Sequence, residues 1–298
     1  MQGIFYKHSL KPWLLAARPK TLTASIAPVI VSSFLAMNHT GTFSLFLSFL
    51  ALLSSLCIQI GTNLANDAID FKKGADGESR LGPIRVTQKG LLSPRQVMIG
   101  AMLFFLASII IALPLVLKGG WIVAVLLAVS VVSGYLYTGG PYPLAYYGLG
   151  DLFVILFFGV VSTFTFYYVQ TQQFSFLAGV GGLQVGLLCN VMLVINNLRD
   201  REEDAKVNKK TLAVRFGEYF SKLEVTALVY FPFILTLVWY YYGYTYAAVL
   251  PWVSFLLGSK IVRSIWATRP SEVYNVFLGF SALLHLTFSI LLCIGLLL

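Results

Sequence analysis

Apolar runs long enough to cross a bilayer recur along nearly the whole chain. They fall at 21–37, 43–63, 97–117, 121–137, 150–169, 176–195, 225–242, 246–265 and 273–298. A spanning helix needs roughly 20 mostly apolar residues, so the pattern predicts an all-α bundle of about nine transmembrane helices. Short connections at 38–42, 118–120, 170–175 and 243–245 alternate with longer polar ones at 64–96, 138–149, 196–224 and 266–272. The alternation puts the long loops on one side of the membrane.

Charge tests that partition. With the N-terminal segment and the long loops on one side, every one of the 21 basic residues except Lys118 falls there. All twelve Asp and Glu fall there too. The positive-inside rule makes this side cytoplasmic, with the N-terminus inside and the C-terminus outside. Composition agrees: 58% of residues are hydrophobic, 11% are charged, and mean hydropathy is +0.80. A soluble domain carries about 25% charged residues, so soluble and disordered classes are excluded. The net charge of +9 follows from sidedness and a phosphate ligand rather than nucleic acid. No cleavable signal peptide is expected, because the first apolar run lacks a small-residue exit and further spans follow it. Cys57, Cys189 and Cys293 stand apart and His8, His39 and His285 are scattered, so neither a disulfide framework nor a zinc site is indicated. No linker divides the chain, which reads as one domain over 1–298.

Two acidic, asparagine-led segments interrupt this grease. N-D-A-I-D-F-K-K-G-A-D runs from 66 to 76 and N-N-L-R-D-R-E-E-D-A-K from 196 to 206. They align without gaps: Asn66 with Asn196, Asp67 with Asn197, Asp70 with Asp200, Gly74 with Asp204. A weak internal duplication of helices 1–4 and 5–8 explains the match; chance similarity of two polar helix ends is the bland alternative. Carboxylates at a membrane boundary are costly and tend to be functional. Spacing of four places Asn66 with Asp70, and Asn196 with Asp200 and Asp204, on one helical face; Asp76 follows close by. Amide and carboxylate oxygens suit Mg²⁺, which bridges one or two carboxylates to substrate phosphates. Facing clusters would clamp a diphosphate between two ions. A solvated helix end, with Asp200, Glu202, Glu203 and Asp204 paired to Arg199, Arg201 and Lys206, is the simpler reading of the second cluster alone.

Basic residues follow each cluster: Lys72, Lys73, Arg80 and Arg85 after the first, Lys206, Lys209, Lys210 and Arg215 after the second. Their bland role is orientation in the membrane; Arg85 and Lys206 are the better diphosphate candidates, beside Lys72, Lys73, Arg80 and Lys210. Tyr135, Tyr137, Tyr142, Tyr146 and Tyr147 crowd Y-T-G-G-P-Y-P-L-A-Y-Y-G-L-G-D. Such tyrosines fit an interfacial belt, or aromatic walls for an isoprenoid and its allylic cation.

Over nearly its whole length the chain resembles the UbiA superfamily of intramembrane prenyltransferases, and within it the menaquinone branch. The resemblance rests on R-P-K-T at Arg18, the two acidic segments, G-P-I-R-V-T-Q-K-G, Y-T-G-G-P-Y-P-L-A-Y and K-K-T-L-A-V-R-F-G. The family's N-x-x-x-D-x-x-x-D is met by Asn66 and Asp70, with Gly74 at the last position and Asp76 two residues on; D-x-x-x-D is met by Asp200 and Asp204. Its Tyr-x-x-x-Lys element is met by Tyr137, but positions 141 and 142 are Pro and Tyr. The resemblance implies a Mg²⁺-dependent transfer of a polyprenyl group from polyprenyl diphosphate to 1,4-dihydroxy-2-naphthoate. Diphosphate and CO₂ are lost and demethylmenaquinol forms, in the membrane lipid of a bacterial cytoplasmic membrane. Asn66, Asp70, Asp76, Asn196, Asp200 and Asp204 would hold metal, and Asp67, Arg85 and Tyr137 would act at the reacting groups, Asp67 as base or as a support behind the groups that touch substrate. Another acceptor, such as 4-hydroxybenzoate or homogentisate, keeps the enzyme class; a cation-coupled transporter is the reading from a different class.

Overall fold

A computed structural model describes residues 10–75 and 81–298. Asp76 and Arg80 lie outside the described residues. Within them the regular structure is helical, as a chain in lipid requires: each helix satisfies its own backbone donors and acceptors.

The elements are α1 (Lys11–Ala17), α2 (Thr23–Thr40), α3 (Leu45–Lys72), α4 (Pro94–Leu136), α5 (Gly150–Ile155), α6 (Val161–Thr171), α7 (Phe176–Arg199), α8 (Arg201–Lys206), α9 (Leu212–Tyr241), α10 (Thr245–Val249), α11 (Phe255–Ala267) and α12 (Tyr274–Leu297). Counted by length and apolarity, seven described helices qualify as membrane spans, or eight if the bent pair Lys11–Thr21 and Thr23–Thr40 is one span. The expected third and fourth spans form the single 43-residue α4. A straight helix of that length would run about 64 Å, twice the ~30 Å hydrocarbon core. α4 is instead broken at Gly120, whose φ of 69° and ψ of −159° are non-helical and open to glycine alone at little cost.

α7 is the central helix. Its apolar window is 78% buried, against 28–50% for the other spans. A π-helical turn at Leu156–Val160 joins α5 to α6 and lies against α7 with almost no side chain between them. A Cβ built on Gly159 would sit 2.4 Å from the Gly182 carbonyl oxygen and 2.5 Å from Gly186 Cα. This approach of two backbones draws the start of α5 towards the middle of α7. Each acidic segment closes a long helix. α3 runs through Asn66 and Asp70 and stops at Lys73, whose N–H bonds back to Ile69 O. α7 ends at Arg199, and the short α8 begins after Asp200. Ser93 and Gln96 cap the N-terminus of α4 reciprocally, a capping box that ends the polar loop and starts the next span.

Candidate functional site

The ends of α3 and α7 open onto a cavity of about 490 Å³. Asn66 and Asp70 from α3, Arg85 from the loop after it, Tyr137 and Thr138 after α4, Asp151 from α5, Asn196 and Asn197 from α7, and Lys209 line it. Arg18 and Lys20, between α1 and α2, complete the polar rim. A smaller groove of about 120 Å³ shares Thr62, Tyr137, Val154 and Phe158 with the cavity. Its other walls are mainly apolar, among them Ile58, Leu127, Phe153 and Phe157. The site therefore has a charged mouth and a greasy continuation.

Two polar contacts set the α3 residues. Asn66 Oδ1 accepts a hydrogen bond from Thr138 Oγ1 at 2.7 Å, and Asp70 Oδ1 accepts one from Tyr146 Oη at 3.0 Å. The Y-T-G-G-P-Y-P-L-A-Y-Y segment thus holds both side chains from the opposite wall. Asp204, 5% exposed, accepts from Lys209 Nζ at 3.1 Å through Oδ1, while its buried Oδ2 has no hydrogen-bond partner among the described residues. Burial, with the neighbouring Asp200 and Asp70 charges, pushes Asp204 up to about 6 against the pull of Lys209. Burial would lower Lys209, but Asp204, Asp70 and Asp200 outweigh it and raise the ammonium. The two acidic segments, about 130 positions apart in sequence, thus line one cavity, Asn66 and Asp70 with Asn196, Asn197 and Lys209.

That geometry fits a divalent cation. No three described His, Cys, Asp or Glu side chains form a metal cage by themselves. Mg²⁺ needs none, since it keeps waters and takes one or two carboxylates plus substrate phosphates. Asp70 and the Asn66 amide line the cavity. Asp204 and Asp200 are not among its lining residues, but Lys209, which pairs with Asp204, is. The orphaned Asp204 oxygen would join the set from behind it. Asn196 and Asp200 are placed differently from the expectation. The Arg199 guanidinium, with its side chain fully buried, donates to Asp200 from Nε (2.8 Å) and Nη2 (2.6 Å). Nη2 also donates to Asn196 Oδ1 at 2.6 Å, and Nη1 to Asn275 Oδ1 of α12 at 2.7 Å. Metal at Asp200 requires that fork to turn away. Gly74, where the family pattern has Asp, has φ of 73°, so it serves as the left-handed residue that ends α3.

The structure corrects three expectations and adds to them. Asp67, the expected base, turns away from the cavity: its carboxylate accepts from the N–H groups of Val86 and Thr87, each at 3.2 Å, and from the Thr87 hydroxyl. It pins the G-P-I-R-V-T-Q loop next to Arg85, and three of its roughly four acceptor sites are taken by that loop. Lys206 leaves the site, pairing with Glu203 at 2.7 Å on the surface. Lys72 and Lys210 are exposed; Lys210 contributes a backbone N–H to Tyr146 O at 3.0 Å. Lys73 lies 4.1 Å from the centre of the Tyr146 ring and donates to Thr138 O at 2.8 Å; burial lowers its ammonium, opposed by Asp70. Tyr137 lines both cavities. Burial first, then Asp151, Asp70 and Asp204, push its phenol far up, which keeps it a hydrogen-bond donor.

Lys209, one of the four basic residues after the second segment but not among the diphosphate candidates, lines the cavity, as do Arg18 and Lys20. Asn208, with φ of 57°, turns the chain back after α8, and the Lys209 N–H caps Asp204 O at 2.9 Å. No spacing rule signals such a return. Asp151 carried a signal, being a lone carboxylate at the start of a span. A direct check contrasts the two lysines. Lys206→Ala should leave turnover within about twofold, since exposed ion pairs contribute little. Lys209→Met should lower affinity for prenyl diphosphate by about tenfold or more, as expected for a lost charge-assisted contact. Equal effects in a binding titration would remove Lys209 from the mouth.

A polytopic helical membrane protein with a charged mouth over an apolar cavity is the class that fold and site define. Residues 25–296 match the UbiA prenyltransferase family, and the chain belongs to that family. It is 34% identical to 1,4-dihydroxy-2-naphthoate octaprenyltransferase of Haemophilus influenzae, covering 97% of this chain and 96% of that one. It is 32% identical to the Bacillus subtilis protein of the same name, over 96% and 91% of the two chains. Among solved structures, a UbiA homologue from Archaeoglobus fulgidus bound to DMAPP and Mg²⁺ superposes with a TM-score of 0.61 at 16% identity, covering 94% of this chain and 98% of that one. At that identity the likeness speaks for the fold.

Proposed function

We propose that this protein transfers a polyprenyl group from polyprenyl diphosphate to 1,4-dihydroxy-2-naphthoate, with loss of diphosphate and CO₂. The observation that carries the reading is the single cavity in which both acidic helix ends meet over an apolar groove. The curated relatives, each named for this acceptor over almost the full chain, support the acceptor. The protein acts as one domain over 1–298. It lies in the bacterial cytoplasmic membrane with its acidic segments on the cytoplasmic side, because the basic residues gather there.

The diphosphate sits at the mouth. Asn66, Asp70 and Asp204 would hold Mg²⁺, as two ions once the Arg199 fork releases Asp200 and Asn196. Bound there, Mg²⁺ supplies positive charge that eases departure of the diphosphate. Lys209 and Arg85 add fixed positive charge on the same oxygens. Tyr137 stands where mouth and groove join and presents its ring to the allylic carbon as positive charge grows there. Phe153, Phe157 and Phe158 exclude water from that cation, and the tail continues along the groove.

The test is one assay with purified protein, Mg²⁺, polyprenyl diphosphates of mixed length and three competing acceptors: dihydroxynaphthoate, 4-hydroxybenzoate and homogentisate. Mass spectrometry should find prenylated, decarboxylated naphthoquinol alone, and chelation with EDTA should abolish it. Prenylated hydroxybenzoate or homogentisate as the main product would sink the acceptor assignment.

A further inference from the structure

Asp151 opens α5 within the span Gly150–Thr171. It is 6% exposed and lines the larger cavity. Its Oδ1 accepts one hydrogen bond, from Asn190 Nδ2 of α7 at 3.3 Å. Asn190 is itself 1% exposed, and its Oδ1 is buried with no hydrogen-bond partner among the described residues. No described Lys or Arg forms an ion pair with Asp151. A carboxylate buried at the start of an apolar span, with one amide donor from a neighbouring helix and a backbone N–H as its partners, is expensive without a cation. A purely structural link between α5 and α7 could be made by two amides, or by none, at lower cost.

Its position is specific. The Gly159–Gly182 approach holds α5 against α7 and sets the Asp151–Asn190 pair in the wall. Gly150, the preceding residue, has so little room that a Cβ there would stand 3.0 Å from Tyr137 Oη. Asp151 therefore neighbours the tyrosine at the junction of mouth and groove, yet belongs to neither acidic segment. Among the described acidic residues, Asp70 and Asp204 are committed to the mouth and Asp67 to the loop.

We infer that Asp151 is the general base that takes the hydroxyl proton of the aromatic acceptor. This rests on the prenyl-transfer reading above. The acceptor O–H bond breaks and its proton moves to a carboxylate oxygen of Asp151. The freed electron pair enters the ring, and the carbon beside the oxygen bonds to the allylic carbon. The C–O bond to the diphosphate breaks, and its pair leaves with the diphosphate. The ring regains aromaticity when the attacked carbon gives up its carboxylate as CO₂, the bonding pair returning to the ring. The oxygen can then recover its proton from Asp151. Asn190 is the positioning residue: its amide N–H fixes the carboxylate, and its idle Oδ1 is an acceptor for a second acceptor hydroxyl.

Asp151→Asn is the decisive variant, since it keeps an oxygen for Asn190 and removes only the basicity. It should lower kcat by about 10²–10⁴-fold, the usual yield of general-base catalysis. KM for the acceptor and equilibrium binding of prenyl diphosphate should stay within a few-fold. The lost rate should recover as pH rises and with acceptors whose hydroxyl is more acidic, because solvent then supplies the phenolate. Tyr137 beside it, Glu224 of α9 and Asp204 at the mouth are other ionisable groups around the site; a pH limb surviving in the variant belongs to one of them. A variant that keeps wild-type kcat, or loses prenyl diphosphate binding together with kcat, overturns the assignment. Should Asp151→Asn not survive extraction, the wild-type rate across acceptors of graded acidity decides: a shallow response supports an enzymatic base, and a rate that follows the phenolate fraction overturns it. Wild-type protein that prenylates no acceptor in the mixed assay instead fails the functional reading, so the two failures are separable.

Discussion

Asp70→Asn and Asp204→Asn should each lower prenyl transfer by about 10²–10³-fold, the scale set by removing one electrostatic contact to a leaving group. The folded protein should remain extractable. In Asp70→Asn the amide oxygen still accepts from Tyr146, so the contact at 3.0 Å has a successor. Asp204→Asn removes a charge from a crowded, dehydrated group that burial has already pushed up to about 6. Losing it relieves Asp200 and Asp70, at the cost of the Lys209 ion pair. Thermal unfolding in detergent measured beside product formation separates the two effects. Full activity in either variant would take that carboxylate out of the diphosphate site; loss of both activity and folded protein would make its role structural.

Arg199→Met should be among the most destabilising single changes outside the apolar core, by about 3–5 kcal/mol. The guanidinium is fully buried and serves Asp200, Asn196 and Asn275 at once. Without it Asp200 loses the donors to both its carboxylate oxygens, and α7 loses its tie to α12. Arg199→Met combined with Asp200→Asn should cost less than the sum of the two single changes, because each removes the same two hydrogen bonds. The cycle of wild type, two single variants and the double variant measures that coupling. It is best run in EDTA, so that no added cation substitutes for the arginine. Additive losses would show that Arg199 and Asp200 act independently. The same fork has a functional side: adding Mg²⁺ and prenyl diphosphate should shift the equilibrium towards Asp200 facing the mouth.

Much of the candidate site could be read from residue type and spacing. Asn66 and Asp70 are one helical turn apart on a helix that carries straight through them, so local geometry alone puts both in the cavity. Arg85 was readable because a Gly-Pro turn interrupts the polar loop just before it. Asn196 and Asp200 lie one turn apart at the end of α7, where the Asp200 N–H bonds to Asn196 O at 3.0 Å. Their capture by Arg199 was not readable, because a guanidinium at i+3 and a partner on α12 are equally available in any register. Lys206 and Lys209 differ by three positions, and only the left-handed Asn208 between them decides which returns to Asp204. Asp67 looked like a spare carboxylate until the loop 19–20 residues onwards closed over it.

The amino-acid sequence by itself determined that this is a helical membrane protein, which way its charge is distributed, and which segments carry the chemistry. Those properties are one-dimensional: backbone groups in lipid must be satisfied within each helix, so run length and loop charge suffice. Tertiary structure alone decided which polar groups meet. Gly159 against Gly182 and Gly186 brings two backbones together and carries Asp151 to Asn190; the break at Gly120 folds α4 back within the membrane thickness; Tyr146 and Thr138 cross the cavity to Asp70 and Asn66. Such encounters depend on how closely two surfaces approach, and no periodicity along a single strand of sequence encodes that distance.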